Sequence, residues 1–181
     1  MRGRFFPTLI LVLGVVSTLG CPATSSDGSE TIDTPAQQFT LKGIKIEERR
    51  SGKVIWQGVG TEAQGDFEQS AITNLEMTRP PQKAGDLPIT ISSPSAHLAL
   101  GQGSADFSDA VISDTTGRTL KAGDAHYSEK KSSIEALGPM SFNATGLTVE
   151  GTTSVVQLTT GEITINGPIR GLFTPLPPSQ P

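Results

Sequence analysis

The sequence predicts an all-β protein, an elongated and open β-jellyroll of stacked short antiparallel strands with internal repeats of about 29 residues. Three observations carry this expectation. Gly and Pro account for 20 and 13 of the 181 residues, while aromatics are only 5% and charged residues 18%. That composition is poor in helix formers and rich in turn formers. Apolar residues alternate in short runs, as in Phe39-Thr40-Leu41, Lys53 to Gln57, Ala96 to Leu100 and Ile163-Thr164-Ile165, and turn residues punctuate them. This is the period of half-buried strands. The longest Gly- and Pro-free stretch of mixed periodicity, Asp66 to Thr78, still alternates at Thr73, Leu75 and Met77. The third observation is a repeat, which comes with its elements below.

The chain opens with Arg2 and Arg4, a basic start, followed by a 15-residue and mostly apolar run from Phe5 to Leu19. As a helix that run would span roughly 22 Å, short of the ~30 Å hydrocarbon core of a bilayer. It reads as a secretory leader over residues 1–20. It ends in Ser17-Thr18-Leu19-Gly20-Cys21, and Cys21 is the chain's single cysteine. A disulfide framework and a cysteine-based metal site are thereby excluded.

A small residue before a cysteine at the end of such a leader resembles a bacterial lipobox. The resemblance implies cleavage before Cys21 and acylation of its thiol, hence a membrane anchor. Thr18 stands where that pattern prefers Leu, and Leu19 falls one place late. Residues 21–36 are rich in Ser, Thr, Asp, Gly and Pro and read as a flexible tether. Residues 37–173 form the body. Residues 174–181 carry four prolines and end any sheet.

Within the body, a shift of 29 residues aligns three ungapped copies beginning at Pro88, Gly117 and Gly146. Ile91, Leu120 and Val149 correspond. So do Ala96, Ala125 and Ser154, then Leu98, Tyr127 and Val156, then Phe107, Ala136 and Ile165, then Val111, Met140 and Ile169. Gly138-Pro139 aligns with Gly167-Pro168. Ala63 and Ile72 belong to an earlier copy whose register is lost. Each copy reads as about three short strands with one apolar face, which a single copy cannot bury. Stacked copies bury it and leave an unpaired strand edge at either end.

The body resembles the LptC type of periplasmic domain of the lipopolysaccharide export machinery, part of the β-jellyroll superfamily that includes LptA and the N-terminal part of LptD. The matching pieces are Phe39 to Ile46 followed by Gly52 to Gln57, then Ile89 to Pro94, then Gly117 to Tyr127 in the manner of a G-x-x-L-x-T-x-x-L-x-Y unit, then Gly146 to Gly151 as a closing G-x-x-I-x-G unit. The resemblance covers about Phe39 to Phe173. It implies a non-enzymatic bridge that accepts lipopolysaccharide from an inner-membrane ATP-binding-cassette transporter at its N-terminal edge. The resemblance further implies that the bridge passes the lipid to an LptA-like jellyroll at its C-terminal edge. The edge residues would be Phe39, Leu41, Ile44 and Ile46 on one side and Ile169, Leu172 and Phe173 on the other. Familiar members carry an uncleaved transmembrane helix, whereas this chain reads as a lipoprotein held by Cys21, in the periplasm and on the inner-membrane side. A second reading, from another class, is a structural or assembly lipoprotein that uses the β stack only as a docking platform.

A lipid carrier needs an apolar and passable interior. The candidates for lining it are Leu75, Met77, Leu98, Leu100, Phe107, Val111, Tyr127, Ile134, Met140, Phe142, Val156, Ile163, Ile165 and Ile169. Met140 adapts readily to variable acyl chains. The same residues equally describe a core that packs on itself. Burying an acyl chain gains on the order of 0.8 kcal/mol per CH₂, so handover would be driven from upstream.

Catalysis has few residues to rest on. The only histidines, His97 and His126, occupy equivalent repeat positions whose neighbours take the apolar face, so both imidazoles should point outward. Asp106, Asp109, Asp114 and Asp124 read as solvated turn carboxylates without calcium-loop spacing. No nucleotide, zinc-protease or nucleophile-elbow pattern occurs, and no cofactor is expected. The net charge of −4 and the absence of a basic block disfavour nucleic acid as a partner.

Overall fold

The computed structural model describes residues 38–66 and 68–173, without the side chain of Leu100. The expected leader, Cys21, the tether and the tail 174–181 lie outside the described residues. Ten antiparallel strands and one short 3₁₀ turn follow one another: β1 (Phe39–Arg50), β2 (Lys53–Gly65), β3 (Gln69–Arg79), β4 (Ile89–Ala99), the turn Leu100–Gln102, β5 (Ser104–Asp114), β6 (Thr119–Ser128), β7 (Ser133–Ala144), β8 (Leu147–Gln157), β9 (Glu162–Asn166) and β10 (Arg170–Phe173). Each strand from β1 to β8 pairs with the next in sequence and β10 also pairs with β8, giving one open, meandering sheet. β9 and β10 lie end to end along β8, on its second and first halves respectively, so together they make one interrupted strand. The eight spacings between nine strand positions set the stack at roughly 38 Å from edge to edge.

The strands are 10 to 13 residues long up to β8, about twice the length that the alternation implies. The reason is a row of bends, at which paired strands break their alternation together without losing register. In β3 the buried positions are Ser70 and Ile72, then Leu75, Met77 and Arg79; in β4 they are Ile89, Ile91 and Ser93, then Ala96 and Leu98. In β5 they are Ala105 and Phe107, then Ala110 and Ile112. In each of these three strands the inward alternation slips by one residue at mid-length, and the slip keeps the apolar side chains inward after a bend. In sequence such a slip looks like the end of a strand.

The residues at the slips fit the task. Asn74 and Asp109 have φ of 49° and 50°, and Gly138 has φ of 81°, the left-handed region that Asn, Asp and Gly tolerate best. Polar side chains satisfy backbone groups that the bends release. The Thr61 hydroxyl donates to the Thr73 carbonyl at 3.0 Å, and the Ser93 hydroxyl lies 2.6 Å from the Ser108 carbonyl. The bend row folds the sheet into two facing layers. The first layer holds the halves that run to Lys53, Arg79, Asp114 and Ala144. The second holds the halves that run to Gly65, Ala99, Ser128 and Gln157.

The 29-residue repeat is a property of this pairing. Ile91, Ile112, Leu120, Phe142 and Val149 form one continuous row of cross-strand neighbours. Ala96, Phe107, Ala125, Ala136, Ser154 and Ile165 form another. The earlier copy exists as well. Ala63 pairs with Ile72, which pairs with Ala96, and the longer connection through Pro80 to Pro88 is what hides it in sequence.

One alignment needs correcting. Val111 pairs with Ser92 and Lys121 on the outer face, while Ala110 and Ala122 share the row of Met140. Gly138-Pro139 gives β7 one residue more than β5 at the bulge, so the repeat lengthens there by one and Val111 turns away from the interior.

Candidate functional site

The interior face is one contiguous apolar cluster that spans both layers. Of the sequence-predicted lining residues, Leu75, Met77, Leu98, Phe107, Ile134, Met140, Phe142 and Val156 are buried in it. Tyr127, Ile163 and Ile165 are half-buried against it. Ile169 lies between β9 and β10 and is 56% exposed. Leu100 falls in the 3₁₀ turn. Sequence reasoning missed several members, among them Trp56, Ile72, Leu120 and Leu158, all buried. The signal for Leu120 was present, because it aligns with Ile91 in the repeat.

Packing between the strands is close. A Cβ on Gly151 would lie 2.8 Å from Ile165 Cγ2 and 3.1 Å from Met140 Sδ, so those two side chains lie over this glycine. A Cβ on Gly60 would lie 2.6 Å from Ile72 Cγ2. Small residues in the second and eighth strands therefore make room for the aliphatics of their neighbours. An open groove of about 620 Å³ crosses β5 to β8 along the bend. It reaches the inward-facing Ala110, Ala122, Met140 and Gly151 and also the outward-facing Lys121, Ser141 and Glu150.

The free ends of the two layers meet through polar and aromatic contacts. Trp56, from the first layer, packs edge-on against Tyr127, from the second, with ring centroids 5.4 Å apart at 76°. Arg50 pairs with Glu129 across the layers at 2.7 Å and with Glu48 on its own strand at 3.1 Å. Burial pushes the Glu48 carboxyl up, Arg50 opposes this and the Glu129 charge adds to it. Burial likewise pushes the Tyr127 phenol up. At a neighbouring corner the Asp114 carboxylate accepts bonds from Thr116 N at 2.8 Å and Arg118 Nε at 2.6 Å. Burial acts to raise its pKa, but the bonds from Thr116 and Arg118 and the guanidinium charge outweigh burial and hold it below the ordinary range.

The two sheet edges differ. On β1 the inward-facing Phe39, Leu41, Ile44 and Ile46 are half-buried against the core. On β10 Leu172 and Phe173 are 70% and 80% exposed, and with Ile169 they form an apolar patch at the end of the stack. Phe39, Leu41, Ile44 and Ile46 stand on β1 at one edge of the sheet, and Leu172 and Phe173 stand on β10 at the other.

On the outer face His97, Asp106, His126 and Glu135 follow one another as cross-strand neighbours. His126 Nδ1 lies 2.7 Å from an Asp106 oxygen. The histidines face outward, as expected, and no group of three His, Cys, Asp or Glu side chains among the described residues is placed to hold a metal. The aspartates differ from expectation. Asp106 lies within β5, Asp109 lies at the bend of β5, Asp124 adjoins the register shift between β6 and β7, and only Asp114 closes a turn. They are spread along two strands because those strands run through the bend. No helix among the described residues is long and apolar enough to cross a membrane.

The chain matches no known protein family and no curated protein.

Proposed function

We propose that this protein is a non-enzymatic lipid bridge. It accepts lipopolysaccharide from an inner-membrane export transporter at the β1 edge, holds the acyl chains against the apolar interior, and passes them to an LptA-like jellyroll at the β10 edge. Cys21 anchors it by acylation to a membrane on the periplasmic side. The observation that carries this reading is the pairing of a continuous apolar interior with two open sheet edges, one of which ends in the exposed Ile169, Leu172 and Phe173. β-Augmentation at such an edge uses main-chain hydrogen bonds and asks for no sequence motif. An exposed apolar edge is a liability in a protein that docks to nothing.

One observation favours the second reading, a docking platform without lipid. The interior side chains fill the space between the layers, with Ile134 and Ala136 fully buried. A carrier with this core has to part its layers at the Arg50–Glu129 and Trp56–Tyr127 contacts to admit a chain.

Trp56 is the only tryptophan and is 2% exposed, so its fluorescence reports on that interior. The full chain in an uncharged detergent is titrated with lipopolysaccharide whose acyl chains are brominated. Saturable quenching of Trp56, reversed by unlabelled lipopolysaccharide, is the expected result. No quenching by a folded protein removes the carrier reading and leaves the platform.

A further inference from the structure

Arg79 is the last residue of β3, and the slip at Asn74 turns it into the interior, where it is only 8% exposed. Its Nη1 has no hydrogen-bond partner. None of the ion pairs among the described residues includes it. Gln57 pairs with Thr78, so the next position on β2, Trp56, faces Arg79 across the strands. The buried Trp56 Nε1 has no partner of normal hydrogen-bond geometry, but it acts on the Tyr127 oxygen, where it opposes the rise that burial causes. An indole N–H is a donor only, so Trp56 cannot satisfy the guanidinium.

The carboxylates on the same interior row are Glu48, beyond Trp56, and Asp114, beyond Ile89. Each lies two strands away, roughly 10 Å. Each is engaged by another arginine, Glu48 by Arg50 and Asp114 by Arg118. A buried guanidinium without a counter-charge is strongly unfavourable. What Arg79 lacks is an acceptor with negative charge, and a guanidinium fork fits an oxyanion best.

We infer that Arg79 forms an oxyanion site beside Trp56 at the end of the apolar interior, which takes the phosphate of an amphiphile whose chains lie along the interior face. The lipid source of that phosphate rests on the carrier reading, whereas the site itself does not.

The test uses the full chain in an uncharged detergent, read by melting temperature and Trp56 emission. The probes are dodecyl phosphate, dodecanol and inorganic phosphate, on the wild type, Arg79→Met and Arg79→Lys. Wild type is expected to bind dodecyl phosphate about tenfold or more tighter than dodecanol. Arg79→Met is expected to lose that difference and to melt no lower than wild type without ligand, because an unpaired buried charge has been removed. Arg79→Lys keeps the charge but not the fork and is expected to fall between. Inorganic phosphate acting at the same concentration as dodecyl phosphate overturns the amphiphile and leaves a free-phosphate site. Unchanged dodecyl phosphate binding by Arg79→Met overturns the site, and so does a wild type that responds to no phosphate. If the brominated lipid fails to quench Trp56 while dodecyl phosphate still binds through Arg79, the site stands and the carrier falls. If the lipid quenches equally in Arg79→Met, the carrier stands and the site falls.

Discussion

Ile134 lies near the start of β7, is fully buried, and sits between Tyr127 and Val156 on the neighbouring strands. Replacing it with Ala measures whether the interior is a packed core or a loosely filled channel. Three carbons are removed, and at about 0.8 kcal/mol each the transfer loss is roughly 2.4 kcal/mol. A cavity that does not collapse adds up to about 1.5 kcal/mol. For a domain of this size about 1 kcal/mol corresponds to roughly 4 °C in melting temperature. Thermal unfolding of the full chain, followed by far-ultraviolet circular dichroism, should therefore shift down by about 10–16 °C. Val59→Ala, on the outer face and half exposed, should shift by no more than about 2 °C. A drop below about 4 °C for Ile134→Ala would mean that the layers close over the gap at little cost. It would refute the argument that these side chains are held in a unique packing.

Other expectations follow from the same geometry. Gly58→Ala forces a Cβ to 2.4 Å from the Glu76 carbonyl oxygen and should cost about 1–3 kcal/mol in a denaturant melt. Gly123→Ala, with nothing within 4 Å of the new Cβ, should be neutral or gain about 0.5 kcal/mol; equal effects at the two sites would contradict the assignment of facing strands. Because the folded pKa of Asp114 is depressed, its contribution is present above the unfolded pKa of about 3.9 and lost as pH falls through the lower folded value. Asp114→Asn should thus cost about 1–2 kcal/mol at pH 7 and progressively less below pH ~4, and a pH-independent loss would point to shape rather than charge. Leu172→Lys combined with Phe173→Lys should leave the melting temperature within about 2 °C and abolish pull-down of an LptA-like partner; retained pull-down would move the contact to another edge.

Much of the fold was legible because a β stack repeats its chemistry. Ile91, Leu120 and Val149 lie 29 residues apart in sequence and on one row in space. The bends were less legible. A one-residue slip at Asn74 or Asp109 preserves inward apolar side chains while breaking the alternation, so each long strand reads as two short ones. The same slip decides Arg79. Continuing the parity of Ser70 and Ile72 would bury Glu76 and Thr78 and expose Arg79, whereas the slip buries Leu75, Met77 and Arg79. The interior guanidinium was therefore invisible without the backbone. The Trp56–Tyr127 contact was out of reach for a different reason: it joins the two layers, and the repeat encodes only neighbours along the sheet.

The measurement that bears most directly on the central claim is site-specific photocrosslinking to lipopolysaccharide while the export transporter is hydrolysing ATP. A photoreactive phenylalanine analogue is placed at Phe142 or Tyr127 inside, or at Val59 outside. Adducts at both interior positions, dependent on ATP and absent at Val59, are what a lipid bridge predicts. Equal labelling at Val59, or none at the interior positions of a folded protein, would contradict it.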